Sequence, residues 1–298
     1  MARATTRKKR VSFYEVRDRE GIPFSSPFDW DQILARLARE SADVRLHRVF
    51  GADHWGKAYP FQDMDHFILA RSREEGVPSY NTQTDEIIDN ETDSQQPWVE
   101  ISVASFVPGT NKFGFVLGSQ ASPRPTSMAL WLNEHKFVDE ELTIGPVVNQ
   151  NILNRIDGAA QASLLRMKLN RDQIEAARQS GGLFSAAQII GEEFGDVEVE
   201  LQVKVSGRVT KSHDDERIQI LDSVRGVVGS DVKDAVAELI NFDENGKYER
   251  DEINLLEDRL AKNMMVRVTD AQGNPVRIQS AVTAIFRAID HFGQELRH

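Results

Sequence analysis

Residues 197–205 read Val-Glu-Val-Glu-Leu-Gln-Val-Lys-Val, apolar at every odd position and polar at every even one. Nine residues of strict alternation have one economical solution, a β-strand with one face buried and the other in water. A chain containing such a strand must bury its apolar face against helices or a second sheet. Residues 98–118 add a second constraint. Val99-Glu100-Ile101-Ser102-Val103 alternates, Pro108-Gly109-Thr110-Asn111 supplies turn chemistry, and Phe113-Gly114-Phe115-Val116-Leu117 returns, which predicts a β-hairpin.

Helical spacing is equally plain elsewhere. Trp30, Ile33, Leu34 and Leu37 recur at three and four residues over 29–40, and Val282, Ile285, Phe286, Ile289 and Phe292 do the same near the C-terminus. Further helices are expected at 127–134, 170–179, 183–194, 215–228 and 230–240. Strands are expected at 11–16, 45–50, 66–70 and 161–170, with 51–59 as a turn region. Strand 264–268, the turn 270–274 and 276–278 form a second expected hairpin. No internal repeat and no regular strand–helix alternation is present, which excludes a Rossmann or barrel fold. The expected class is α+β, in two lobes of mixed or antiparallel sheet with packed helices. A basic flexible arm spans 1–10, an N-terminal α+β domain 11–143, and a C-terminal α+β domain 144–298. Within the first domain, 74–100 holds eight acidic residues and no Lys or Arg, and its centre, 81–96, reads as an acidic loop.

Charge is segregated in this chain. The formal net charge is −11, yet Arg3, Arg7, Lys8, Lys9 and Arg10 all fall in the first ten residues. A cationic arm on an acidic body is suited to a polyanion, because each Lys or Arg set on a phosphate releases a counterion. The bland reading is a solubilising leader. Basic groups recur at Arg166, Lys168, Arg171, Lys204, Arg208, Lys211, Arg217 and Arg225. Gathered in space, Arg166, Lys168, Arg171, Lys204, Arg208 and Lys211 would join the arm as a stripe tracking a phosphate backbone. The alternative is an ordinary mixed-charge surface. Aromatic residues are not interleaved with this set, which disfavours base stacking relative to duplex contact.

Composition excludes several other classes. Hydrophobic residues make up 40% and charged residues 28%, and no run of eighteen apolar residues occurs, so no membrane-spanning helix is expected. Residues 11–15 turn polar directly after the basic cluster, unlike a secretory signal. Cysteine is absent, which removes disulfides, thiolate metal sites and cysteine nucleophiles, and suits a cytoplasmic protein. The seven histidines form no metal-ligand pair, and there is no P-loop or dinucleotide fingerprint. No catalytic residue, cofactor, metal or small-molecule substrate is expected. Two weaker chemical readings remain open. Asn241-Phe242-Asp243-Glu244-Asn245-Gly246 with Glu252 fits a calcium-loop spacing. Its alternative is a polar turn leading into a strand. Asp196, Glu198 and Glu200 beside Lys204 could hold Mg²⁺ in a nuclease. Their alternative is the solvated face of an ordinary strand.

The order of these features resembles the RexA-like phage-exclusion proteins of lambdoid prophages. The resemblance is carried by the Phe13-Tyr14 strand, a short helix, the acidic loop running into 98–103, and the return strand Phe113-Gly114-Phe115-Val116. The Pro-containing break, the 157–168 segment and the Lys-containing strand follow. The KwaB-like proteins of the Kiwa defence system are a near alternative. The resemblance implies a homodimer that binds double-stranded DNA without strong sequence preference. It also implies a membrane-protein partner and a role in antiviral defence by phage exclusion.

Overall fold

The computed structural model describes residues 4–73, 79–81, 86–88, 98–138, 140–176, 183–194, 197–205, 213–228, 230, 232–244, 246–256, 259–269 and 277–297. The chain begins with β1 (Thr6–Asp18), α1 (Trp30–Arg39), β2 (Leu46–Val49), β3 (Ala52–Phe61), β4 (Met64–Ser72), β5 (Ser79–Asn81) and β6 (Glu86–Ile88). It continues with β7 (Val99–Phe106), β8 (Lys112–Leu117), α2 (Pro125–His135), β9 (Leu142–Pro146), α3 (Gln150–Gly158) and β10 (Gln161–Leu169). The remainder is α4 (Arg171–Ala176), α5 (Leu183–Phe194), β11 (Val199–Lys204), α6 (Asp214–Val228), β12 (Asp234–Phe242), β13 (Tyr248–Asn254), β14 (Ala261–Arg267) and α7 (Arg277–Phe292). The fold is α+β, with antiparallel strand pairing and packed helices. Among the described residues, no helix is long and apolar enough to cross a membrane.

Two compact units divide the chain, and they are not contiguous halves. Unit 1 takes the N-terminal residues through Val11, Phe24–Leu142 and Lys262–Arg297, and unit 2 takes Ser12–Pro23 and Thr143–Ala261. The expected 11–143 and 144–298 partition therefore differs at both ends. Three elements account for this: β1 runs on from unit 1 into unit 2, while β14 and α7 complete unit 1. Such long-range pairing leaves no local mark in a sequence.

Unit 1 is built on a sheet of order β14–β1–β8–β7–β4–β3–β2. The β7–β8 hairpin has the expected register, from Ser102 opposite Leu117 to Phe106 opposite Phe113, and Gly109 supplies the left-handed turn residue at φ 70°. α1 is capped by Asp29, whose Oδ1 accepts from the Gln32 amide at 3.0 Å, and it buries Trp30, Leu34 and Leu37. Trp30 stacks on Phe106 of β7 at 3.9 Å. α2 starts at Pro125 and ends at Lys136, which adopts the left-handed conformation. Its Trp131 is fully buried against Phe67 of β4, and its Nε1 donates to the Arg45 carbonyl at 3.1 Å. α7 packs on β7 and β8, burying Val282 and Ile285, and sets Phe286 against His66 of β4.

Unit 2 carries a four-stranded sheet of order β11–β10–β12–β13. Leu165, Met167 and Leu169 of β10, Ala235, Ala237 and Leu239 of β12, and Ile220, Leu221, Val224 and Val227 of α6 form its core with Ile152 and Ile156 of α3. In this unit β9 pairs with β1.

Several expectations are corrected. The supposed turn 51–59 is strand β3, with only Phe50 and Gly51 in turn conformation. Its buried positions are Ala52, His54, Gly56 and Ala58, too small or polar to announce a period of two. The supposed helix 230–240 is mostly β12: alanine and acidic residues favour a helix, but Ala235, Ala237 and Leu239 alternate inward against β10. The expected return strand at 276–278 does not form, because Arg277 and Ile278 open α7. Of the expected arm 1–10, Thr6–Arg10 are part of β1, and residues 1–3 lie outside the described residues. Most of the acidic segment 81–96 lies outside the described residues, and Asn81 pairs with Glu86 between β5 and β6.

Two predictions follow from this packing. A methyl group at Gly56 would lie 2.3 Å from the Trp131 ring. Gly56→Ala is therefore expected to destabilise the protein by about 1–3 kcal/mol in urea unfolding, through overpacking. His66 is fully buried, with Nε2 donating to the Phe61 carbonyl at 3.0 Å. Burial pushes its imidazole below the ordinary range, against the opposing pull of that carbonyl and Asp65. Below about pH 6.5, the ordinary imidazole value, the unfolded chain then binds more protons at this site than the folded one. The contribution is full above that pH and is lost on acidification. The urea midpoint should fall between pH 7.5 and 5.5, and His66→Gln should reduce the fall.

A candidate nucleic-acid interface

Among the described residues, the basic side chains on the sheet of unit 2 are interspersed with carboxylates. Arg166 and Lys168 project from β10 opposite Gln202 and Glu200 of β11, as alternation requires. Lys168 is ion-paired to Glu200 at 3.2 Å, and on its other side the ladder sets Asp234 opposite it. Glu198 is bonded to Lys233, and Glu238 to both Ser163 and Arg250, the latter at 2.9 Å. Lys168, Lys233 and Arg250 on this sheet thus each have a carboxylate partner. Lys204 lies opposite Leu164 and lines a cavity of about 650 Å³ together with Leu183, Val203, His213, Glu216 and Ile220. Arg171 is exposed at the start of α4. Arg217 is 1% exposed beside Asp214, and Arg225 pairs with Asp222 at 2.8 Å. Arg3, Arg208 and Lys211 lie outside the described residues.

The same geometry bears on the two metal readings. The Lys233 ammonium, bonded to Glu198, holds that carboxyl below the usual carboxylate range. Glu200 is committed to Lys168, and Asp196 lies outside the described residues. Among the described residues, no three His, Asp or Glu side chains are grouped to hold a metal ion. The calcium-loop reading is corrected outright. The helix it needs before residue 241 is strand β12, which pairs with β13 up to Phe242 opposite Tyr248, and Asn245 lies outside the described residues. Asp243 Oδ1 accepts from the Lys247 amide at 2.7 Å, and Gly246 supplies φ 72°. Glu252 stands in β13 opposite Glu238, where the ladder and not the loop fixes its position.

The first half of the basic set behaves differently. Arg7, Lys8, Lys9 and Arg10 lie on β1 immediately beside the edge strand β14. The ladder is antiparallel: the Val268 amide donates to the Thr5 carbonyl at 2.8 Å, and farther along the strand the Phe13 amide donates to Leu260. β14 contributes Lys262 and Arg267. The Arg267 amide donates to Ser280 Oγ at 2.6 Å, which fastens the first turn of α7, and with it Arg277, to the end of β14. No Asp or Glu occurs in 4–14, 261–269 or 277–289. Among the described residues, none of these seven cations is in an ion pair. Lys9 donates from Nζ to the Gly118 carbonyl at 2.5 Å. Burial, then the nearby charges of Arg277 and Arg7, push its ammonium below the ordinary lysine range, with Glu100 opposing. That response shows three cations acting on one another across chain segments far apart in sequence. Lys262, Arg267 and Arg277 were not among the expected contacts. Their signal in the sequence is a missing one, stretches free of acid in an acidic chain.

No family model matches the chain, and no curated protein matches it.

Proposed function

We propose that the chain binds double-stranded DNA without strong sequence preference, through phosphate contacts along β1, β14 and the start of α7. The supporting observation is the strip of Arg7, Lys8, Lys9, Arg10, Lys262, Arg267 and Arg277 at one edge of unit 1, drawn from segments without Asp or Glu and, among the described residues, in no ion pair. Alternate residues on a strand are about 6.6–6.8 Å apart, close to twice the axial rise of about 3.4 Å per phosphate of one DNA strand. Lys8 and Arg10, both exposed, have this spacing. The acidic balance of the whole chain does not oppose such contact at short range, because charges farther than about 8–10 Å are screened at physiological salt. The resemblance to RexA-like proteins supports the same reading and supplies its setting: a homodimer acting with a membrane-protein partner in phage exclusion. The carboxylates of the 197–205 strand, engaged by Lys233 and Lys168, favour binding over a Mg²⁺-dependent nuclease.

Titration of a linear duplex at graded salt tests the proposal. With six phosphate contacts, log Kobs should fall against log salt with a slope of about −5. The triple variant Lys8→Ala, Arg10→Ala, Arg267→Ala should reduce the slope by about 3, at roughly 0.9 per lost contact, and weaken binding at every salt. Arg166→Ala with Lys168→Ala should leave both unchanged. A triple variant that binds like the parent rejects this interface. Degradation of the duplex on adding Mg²⁺ would replace binding by nuclease action.

A further inference from the structure

Glu40 and His47, close in sequence, meet the distant His135 inside unit 1. His47 Nε2 of β2 lies 2.8 Å from His135 Nδ1 of α2, and His135 Nε2 lies 2.6 Å from Glu40 Oε2, just past the end of α1. Arg36 of α1 holds the other Glu40 oxygen at 3.2 Å. The His135 ring is sandwiched, stacked on Trp131 at 4.7 Å and against Phe137 at 4.3 Å, while Arg36 lies over Phe137. Glu134 is the remaining acid acting on His47, and His54 of β3 stands opposite His47 in the ladder. Neither the DNA interface nor any expected motif uses this group.

Its hydrogen bonds dictate its protons. An ionised carboxylate only accepts, so His135 Nε2 carries a hydrogen toward Glu40. In the neutral ring Nδ1 is then an acceptor, and His47 Nε2–H must donate to it. His47 Nδ1 is left as the basic nitrogen of the array. One proton from solvent adds there and every hydrogen bond survives, with the new charge balanced by Glu40. A second proton bound by the imidazoles has no such place. It would set N–H against N–H at the junction of the two rings, turning an attraction into a repulsion between like charges. The alternative acceptor is Glu40 itself, whose protonation removes the charge that stabilises the first.

We propose that His47, His135 and Glu40 form a proton-operated latch that fastens the edge strand β2 to α2, tolerating one added proton and opening on the second. β2 is four residues long and sits at the end of the sheet path, bonded to a strand on one side only. Besides its ladder to β3, β2 meets α2 through the His47–His135 bond and through the edge of the His47 ring against Trp131 at 5.6 Å. Release would free the edge beside Trp131 while the core beneath stays packed. Burial and the neighbouring His135 both disfavour charge on His47, consistent with an opening step on the acid side of neutrality.

Histidine ring resonances of the full chain, followed by NMR from pH 8 to 4.5, test the latch. His47 and His135 should move together in two steps separated by more than about 1 pH unit, the mark of coupled sites. The near-UV circular dichroism assigned to Trp131, by its loss in Trp131→Phe, should change with the second step. His47→Gln keeps a donor toward His135 but cannot titrate, so His135 should then show one step and the Trp131 change should vanish. If that variant fails to fold, Glu40→Gln should lower the first step by about 1 unit or more, through loss of the opposite charge. Independent titration of the two rings overturns the latch, as does a His135 profile indifferent to both substitutions.

Discussion

Burial of Val11, Phe13 and Val16, each at 0–1% exposure, is the constraint from which the N-terminal chemistry follows. Fully burying such side chains is worth about 1.5–3 kcal/mol each, so β1 cannot slide by one residue without turning Val11 and Phe13, which share a face, outward. The anchored register then fixes every residue before Val11. Lys8 and Arg10 are presented from a hydrogen-bonded ladder rather than from a tether. Immobilising a flexible arm costs about 1–2 kcal/mol per residue in backbone entropy. Here folding has already met most of that cost, and a polyanion meets cations set at fixed spacing.

The two sheets show how similar residues acquire opposite electrostatic characters. On β10 and β11 the ladder places Lys168 beside Glu200, and Lys233 reaches Glu198. A phosphate arriving there would have to displace a partner already in place, gaining little from exposed pairs worth about 0–1 kcal/mol. Along β1 and the start of α7, Arg7 and Arg277 act on Lys9 as like charges, behind burial and with Glu100 opposing. Repulsion only partly relieved by one carboxylate is a cost that an added anion reduces.

How much of this was legible in the sequence depended on where the deciding partner lay. The β7–β8 hairpin was readable because alternation and turn chemistry sit within one short stretch. α1 was readable because cap and apolar spacing are both local. β3 was hidden because Gly56 is small for the sake of Trp131, a residue in another element. β12 was hidden because its strand character comes from pairing with β10, which overrides the helix preference of its alanines. The cationic edge was half visible. Arg7–Arg10 stood out as a cluster, but the ladder that recruits Arg267 joins residues about as far apart as the chain allows, with Thr5 bonded to Val268. The histidine array was invisible for the same reason, its members lying 88 and 95 residues apart.

The cationic edge and the histidine array occupy opposite ends of one sheet. Six strand spacings of about 4.8 Å separate β14 from β2, roughly 29 Å in all. That distance exceeds the screening length at physiological salt about threefold, so one added proton at His47 changes the potential at Arg267 very little. Any coupling between the two would have to be mechanical, carried through β3, β4, β7 and β8. These central strands carry fully buried groups, including Leu69, Ala104 and Phe113 at 0% exposure, and packing of that density resists small displacements. A proton-sensitive edge and an anion-facing edge can therefore coexist in one unit, each keeping its own response.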